Sequence, residues 1–112
     1  IFISDIAQML TLENDPLLLN VLIYTAGEIG YDKEGNILKA FEKITVKNVK
    51  KDDIKCAELL CDSIYKIVAF MGRPALYRQG KQLLSRFMYP QYNKQIRDYA
   101  RLTLTKIISL EI

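Results

Sequence analysis

Asp15-Pro16-Leu17-Leu18-Leu19-Asn20-Val21-Leu22-Ile23-Tyr24-Thr25-Ala26-Gly27-Glu28-Ile29-Gly30 decides the fold, because its register returns twice further along the chain. Leu18, Leu22, Ala26 and Ile29 correspond to Cys56, Leu60, Ile64 and Ile67, and then to Ile96, Ala100, Leu104 and Ile107. The same register sets a small hydroxyl at Thr25, Ser63 and Thr103 and a charge at Glu28, Lys66 and Lys106. The steps are 38 and 40 residues. A helical pattern recurring at that distance is the signature of stacked helix pairs, in which each pair buries its apolar face only against its neighbours.

Outward from this stretch, helix punctuation divides the chain. Ser4 and Asp5 can cap a first helix carrying Ile6, Met9 and Leu10 and ending before Glu13. Asp15-Pro16 supplies an N-cap and a first-turn proline for the second helix, which Gly30 stops. Residues 31–35 read as a turn, after which Asn36 can cap a third helix through Ile37, Ala40, Phe41 and Ile44. That helix is expected to weaken over residues 45–49, where β-branched Thr45, Val46 and Val49 lower helix propensity. Asp52 or Asp53 starts a fourth helix ending at Gly72, Arg73-Pro74 opens a fifth ending near Met88, and residues 89–93 link to a sixth. Gly80 falls inside the fifth, where it costs about 1 kcal/mol relative to alanine, and it marks a close approach of another helix or a bend. No stretch alternates long enough to compete as a strand.

The expected architecture is therefore all-α: six helices paired as three consecutive antiparallel hairpins, approximate repeats 1–30, 36–72 and 73–112, within a single domain over residues 1–112. A chain of 112 residues can hold a core without metal or disulfide staples. Its isoleucine start and the absence of a secretory leader make it read as a piece of something longer.

Residues 15–30 resemble the inner helix of a HEAT repeat, a family of helix-hairpin solenoids related to the armadillo type. The resemblance rests on Asp15-Pro16, the aliphatic Leu18, the apolar series to Ala26 and the ending Gly27-Glu28-Ile29-Gly30. Asn93 to Ile108 keeps the aliphatic and arginine pair that the family favours, at Ile96-Arg97, with Ala100 and Leu104, whereas residues 53–68 share only periodicity. Leu19 stands where the family usually has arginine, and the spacing lies slightly below the roughly 40 to 47 residues of these repeats, so an unrelated helical bundle stays open. The resemblance implies a short HEAT-like α-α superhelix whose second helices line a concave, partner-binding face and whose terminal glycines allow tight packing.

Chemistry is marked by absences. With no histidine, a Ser-His-Asp or Cys-His nucleophile and a histidine-ligated zinc are excluded. Phosphate-cradling glycine loops are missing too. Cys56 and Cys61 lie about 140° apart on one helix and cannot pair with each other, so they are read as buried small hydrophobes of a reducing compartment, cytoplasmic or nuclear. Asp52 and Asp53 read as helix caps, and Glu28 with Asp32 as a solvated helix end and turn. The expectation is a noncatalytic protein-binding scaffold or adaptor within a larger assembly, with no cofactor, no metal and no small-molecule substrate. No apolar block approaches the roughly 20 residues that a bilayer requires, so no membrane partner is expected.

The formal charge of +3 is unevenly spread: residues 1–42 carry −5, residues 43–72 carry +2 and residues 73–112 carry +6. Lys94, Arg97, Asp98, Arg101 and Thr105 recur at three- and four-residue spacing opposite the apolar side of the sixth helix, and Arg78, Lys81 and Arg86 are polar-face candidates on the fifth. Lys94, Arg97, Arg101, Arg78 and Lys81 are thus the candidate partner-binding residues, toward an acidic protein. Nucleic acid is the alternative partner of this basic C-terminal face, with Tyr89, Tyr92 and Tyr99 as candidate stacking platforms. On the second helix apolar residues point in nearly every direction, and Leu17, Leu19 and Ile23 form a candidate apolar contact patch.

Overall fold

The computed structural model describes residues 3–47, 49–50 and 52–112, apart from the side chains at 3, 4, 46 and 47. All its elements are helices: α1 (Ile3–Leu12), α2 (Pro16–Ile29), α3 (Asn36–Lys47), α4 (Ile54–Met71), α5 (Pro74–Arg86) and α6 (Lys94–Glu111). Among the described residues no helix is long and apolar enough to cross a membrane.

Local chemistry sets the helix ends. The Asp15 carboxylate accepts the Leu17 N–H at 2.9 Å, Pro16 occupies the first turn, and Gly30 closes α2 at φ 74°, donating its N–H to the Ala26 carbonyl. Only glycine takes that left-handed conformation without a Cβ penalty. Asp53, not Asp52, caps α4 by accepting the Cys56 N–H at 3.2 Å, and Gly72 ends it at φ 63°. Asn93 caps α6 through the Gln95 N–H at 2.8 Å.

Two starts differ from expectation. The helix α1 already includes Ser4 and Asp5, and the Ser4 side chain lies outside the described residues. Asn36 is the first residue of α3, and the cap comes from Asp32 instead: its two carboxylate oxygens accept the Ile37 and Leu38 N–H groups, each at 3.0 Å. Asp32 is fully buried, and burial raises its pKa above the usual carboxylate value while N–H groups of residues 35–38 pull it down. The turn is therefore built around a buried carboxylate, not a solvated one. The α3 helix also persists to Lys47 through the β-branched run, where Thr45 is buried and donates to the Phe41 carbonyl. Asn48, within the stretch expected to weaken, lies outside the described residues. Finally, α5 stops at Arg86, two residues short of Met88, and Phe87 is buried beyond its end.

Packing centres on α4. It touches α2 on one side and α6 on the other, and also meets α3 and α5. The helices α1 and α3 pack together, α3 reaches α5, and the consecutive pairs α1–α2, α3–α4 and α5–α6 are all in contact. The Cα envelope measures 36 × 36 × 17 Å. Meeting four helices, α4 buries Cys56, Ala57, Leu60, Cys61, Ser63, Ile64, Ile67 and Val68, which span nearly half of its circumference, about 160° at 100° per residue.

The apolar register is met on α4, where Cys56, Leu60, Ile64 and Ile67 are all buried. On α6 Ile96, Ala100 and Ile107 are buried while Leu104 is half-buried. On α2 it is displaced. Leu19, Ile23, Ala26 and Gly27 face the core, whereas Leu18 is 52% exposed and Ile29 40%. The cause is the contact with α4: the Ser63 hydroxyl donates to the Ile23 carbonyl at 2.9 Å, and a Cβ on Gly27 would stand 2.5 Å from that hydroxyl oxygen. The helix turns its bare glycine toward its neighbour, and the leucines follow. Gly80 acts likewise on the other flank, since a Cβ there would meet Val68 and Ile64 methyls at 3.0 and 3.2 Å. It marks a close approach of α5 to α4.

Candidate functional site

The basic residues of α5 and α6 divide by what they touch. On α6, Tyr99 donates its hydroxyl to Asp62 and Lys106 lies 5.9 Å from the Tyr65 ring centroid, so these positions face α4. Glu111 pairs with Lys81 of α5 at 2.6 Å. These contacts leave Lys94, Arg97 and Arg101 on the remaining side. Lys94 and Arg101 share a single carboxylate, Asp98, at 2.6 and 3.2 Å. The Lys94 hydrogen bond, helped by the Arg101 charge, holds the Asp98 carboxyl below its usual pKa. Arg97 is half-buried and donates its Nε to the Tyr92 carbonyl at 3.1 Å, which leaves its charge unmatched. Arg78 is exposed and, among the described residues, has no ion-pair partner. Lys94 and Arg101 thus share one carboxylate and Lys81 holds another, while Arg97 and Arg78 hold none among the described residues. Arg86 is set apart, turned toward α3, where it pairs with Glu42 at 2.7 Å.

The three tyrosines do not form a stacking set. Tyr92 is buried against Phe87, ring centroids 5.4 Å apart in an edge-on arrangement, and Tyr99 is held by Asp62. Only Tyr89 shows an open ring, at 53% exposure.

The apolar patch needs correction. Leu19 and Ile23 are buried in the core, for the reason that Gly27 faces α4, and only Leu17 of the three is exposed. The exposed apolar side chains of α2 are Leu17, Leu18, Val21, Tyr24 and Ile29. Beside them, Lys66 of α4 pairs with Glu28 and lies 5.2 Å from the Tyr24 ring centroid. The recurring charged position of the sequence thus links neighbouring helices: Lys66 reaches back to α2 as Lys106 does to α4.

Reactive groups are sealed or occupied. Cys56 and Cys61 are free thiols inside the core, and burial, with Asp53 nearby, pushes the Cys56 pKa up to about 11. Burial raises that of Cys61 further, beyond where a thiolate nucleophile would form. Asp32 is engaged by backbone N–H groups and Glu28 by Lys66. Among the described residues no three histidine, cysteine or acidic side chains gather as a metal site. A concavity of about 880 Å³ opens between the end of α3 and the α5–α6 link, where Lys50, Asp52, Arg86, Tyr89 and Gln91 form part of its lining. Its charges are mixed, and Arg86 is neutralised by Glu42. Comparison of the chain with protein-family models, curated proteins and solved structures finds no match.

Proposed function

We propose that this chain is a noncatalytic protein-binding scaffold of HEAT-like helix hairpins, acting inside the cell as part of a larger assembly. Contacts within the pairs α1–α2, α3–α4 and α5–α6, and in series along α2, α4 and α6, agree with such a stack. The observation that carries the reading is the surplus of cations along the α5–α6 edge, where Arg78, Arg97 and one of the two partners of Asp98 remain free to engage carboxylates. Arginine grips carboxylate or phosphate in a bidentate manner, so these side chains suit an acidic partner.

Nucleic acid is the second reading, resting on the same cations. It is weakened by Tyr92 and Tyr99, whose rings are spoken for. Titration against a random-sequence oligonucleotide at increasing salt separates the two. The protein reading expects negligible oligonucleotide binding at physiological salt, with retention on immobilised poly-glutamate that Arg97→Ala/Arg101→Ala abolishes without loss of helical circular dichroism. Tight oligonucleotide binding with a steep salt slope, flattened in the double variant, would reverse the ranking.

A further inference from the structure

The two ends of the molecule carry matching rows. Because Gly27, Tyr24 and Glu28 face α4, the other side of α2 presents Leu18, Leu22 and Ile29, at spacings of four and seven residues. Leu18 and Ile29 are exposed and Leu22 is half-buried. Met9 and Leu12 of α1 add exposed apolar surface, at 51% and 67%. Asp5, Glu13 and Asp15 belong to the same end and, among the described residues, none is ion-paired. At the opposite end α6 presents Arg97, Arg101 and Ile108 at the same spacings, with Leu104 half-buried between them and Ile108 45% exposed. One row is apolar with acidic neighbours, and the other is basic with an apolar tip. Terminal units of a helical stack normally turn a polar face outward, and here the α1–α2 end does not.

We infer that a second copy of this chain docks on the first, head to tail, with the α5–α6 edge of one seated on the α1–α2 edge of the next. The inference rests on the reading of the basic edge as a protein-binding surface and names its partner. Charge complementarity carries it: Asp5, Glu13 and Asp15, without ion pairs among the described residues, belong to the α1–α2 end, and Arg97 and Arg101 belong to the α5–α6 end. Pairing like ends would oppose like charges. The contact is therefore heterologous, and each copy leaves an open end for another. Apolar burial of Leu18, Leu12 and Ile108 would supply the adhesion, and the charges the orientation.

Sedimentation velocity of the 112-residue chain tests this. At low salt the wild type should form a series of species that lengthens with concentration and falls apart as salt rises. Leu18→Asp disables one end and Arg97→Glu/Arg101→Glu the other, so each variant alone should sediment as a monomer with unchanged helical circular dichroism. Mixed, they should form a one-to-one pair that grows no further, since each retains the end the other lacks. Leu12→Asp, at a more exposed site, replaces Leu18→Asp if that variant loses helix. A wild type that stays monomeric at millimolar concentration, or variants that fail to pair when mixed, would overturn self-docking. If the monomeric wild type still binds poly-glutamate through Arg97 and Arg101, only the self-docking inference falls and the protein-binding reading survives.

Discussion

Replacing Gly27 with alanine tests the contact that orients α2. The new Cβ would stand 2.5 Å from the Ser63 oxygen, 2.8 Å from its Cβ and 2.9 Å from its Cα. A side-chain rotation can move the oxygen but not the Cα, so the two helices must separate. Alanine recovers about 1 kcal/mol of helix propensity, which favours the variant. Against it stand an overpacking cost of about 1–3 kcal/mol and loss of the Ser63–Ile23 hydrogen bond, worth about 0.5–1.5 kcal/mol. The balance is a destabilisation of about 2 kcal/mol by the midpoint of those ranges, which for a domain of this size lowers Tm by roughly 10 °C. Urea unfolding followed by circular dichroism at about 222 nm, where helices show strong negative ellipticity, reads the difference directly if wild type and variant unfold with equal slope, which reports equal surface exposed. Adding Ser63→Ala should not rescue the variant, because the Ser63 Cβ and Cα remain in place. A Gly27→Ala protein as stable as the wild type, or more stable, would refute the close approach and with it the account of why Leu18 is exposed.

Gly80→Ala should cost at least about 1 kcal/mol less than Gly27→Ala, because its nearest neighbours are the methyl groups of Val68 and Ile64, which can yield, and propensity favours alanine; the same urea titration measures it. Asp32→Asn keeps the shape of the α3 cap but turns an N–H donor toward one of the two N–H groups, and should destabilise by about 1–3 kcal/mol in thermal unfolding. Cys56 should react with a thiol reagent only after denaturant is added, and rapid labelling of the native chain would contradict its burial. Because the fold raises the Cys56 pKa from 9.0 to about 11, its protonated form is favoured in the native state, so this stabilisation is complete below about pH 9 and is lost as pH rises through 11. Tyr99 shifts the same way, mainly through its hydrogen bond to Asp62, so the urea midpoint should fall on the alkaline side.

Asp15-Pro16, Gly30, Gly72 and Pro74 are legible in the sequence as helix starts or stops because each acts within a turn of where it stands, whereas sequence alone does not choose between Asp52 and Asp53. Asp32 escaped since its partners lie five and six residues ahead, across a turn whose geometry must exist before the carboxylate can be seen to cap α3. The face of α2 was illegible for a different reason. Its run of leucines is apolar in every direction, so periodicity does not choose among them, and the choice falls to a glycine and to a serine on another helix, 36 residues away. At the basic edge, the candidates were visible from their spacing on α5 and α6, but not their pairing. That Asp98 serves two cations and that Tyr92 and Tyr99 are committed elsewhere depends on tertiary contacts.

Helical arrays usually unfold piecemeal, with each unit's stability adding to that of its neighbours. The position of α4 argues for different behaviour here. Flanked by α2 and α6 and met by α3 and α5, it is approached on two sides by helices that carry glycine at the contact, Gly27 and Gly80. The α5 flank cannot be loosened without exposing Ile64 and Val68, nor the α2 flank without exposing Ser63, and no half of the chain retains a covered core once α4 is gone. Fraying should be confined to the outermost helices, while the amides of α4 exchange with solvent only when the whole molecule opens. The chain would then respond to denaturant as one cooperative unit.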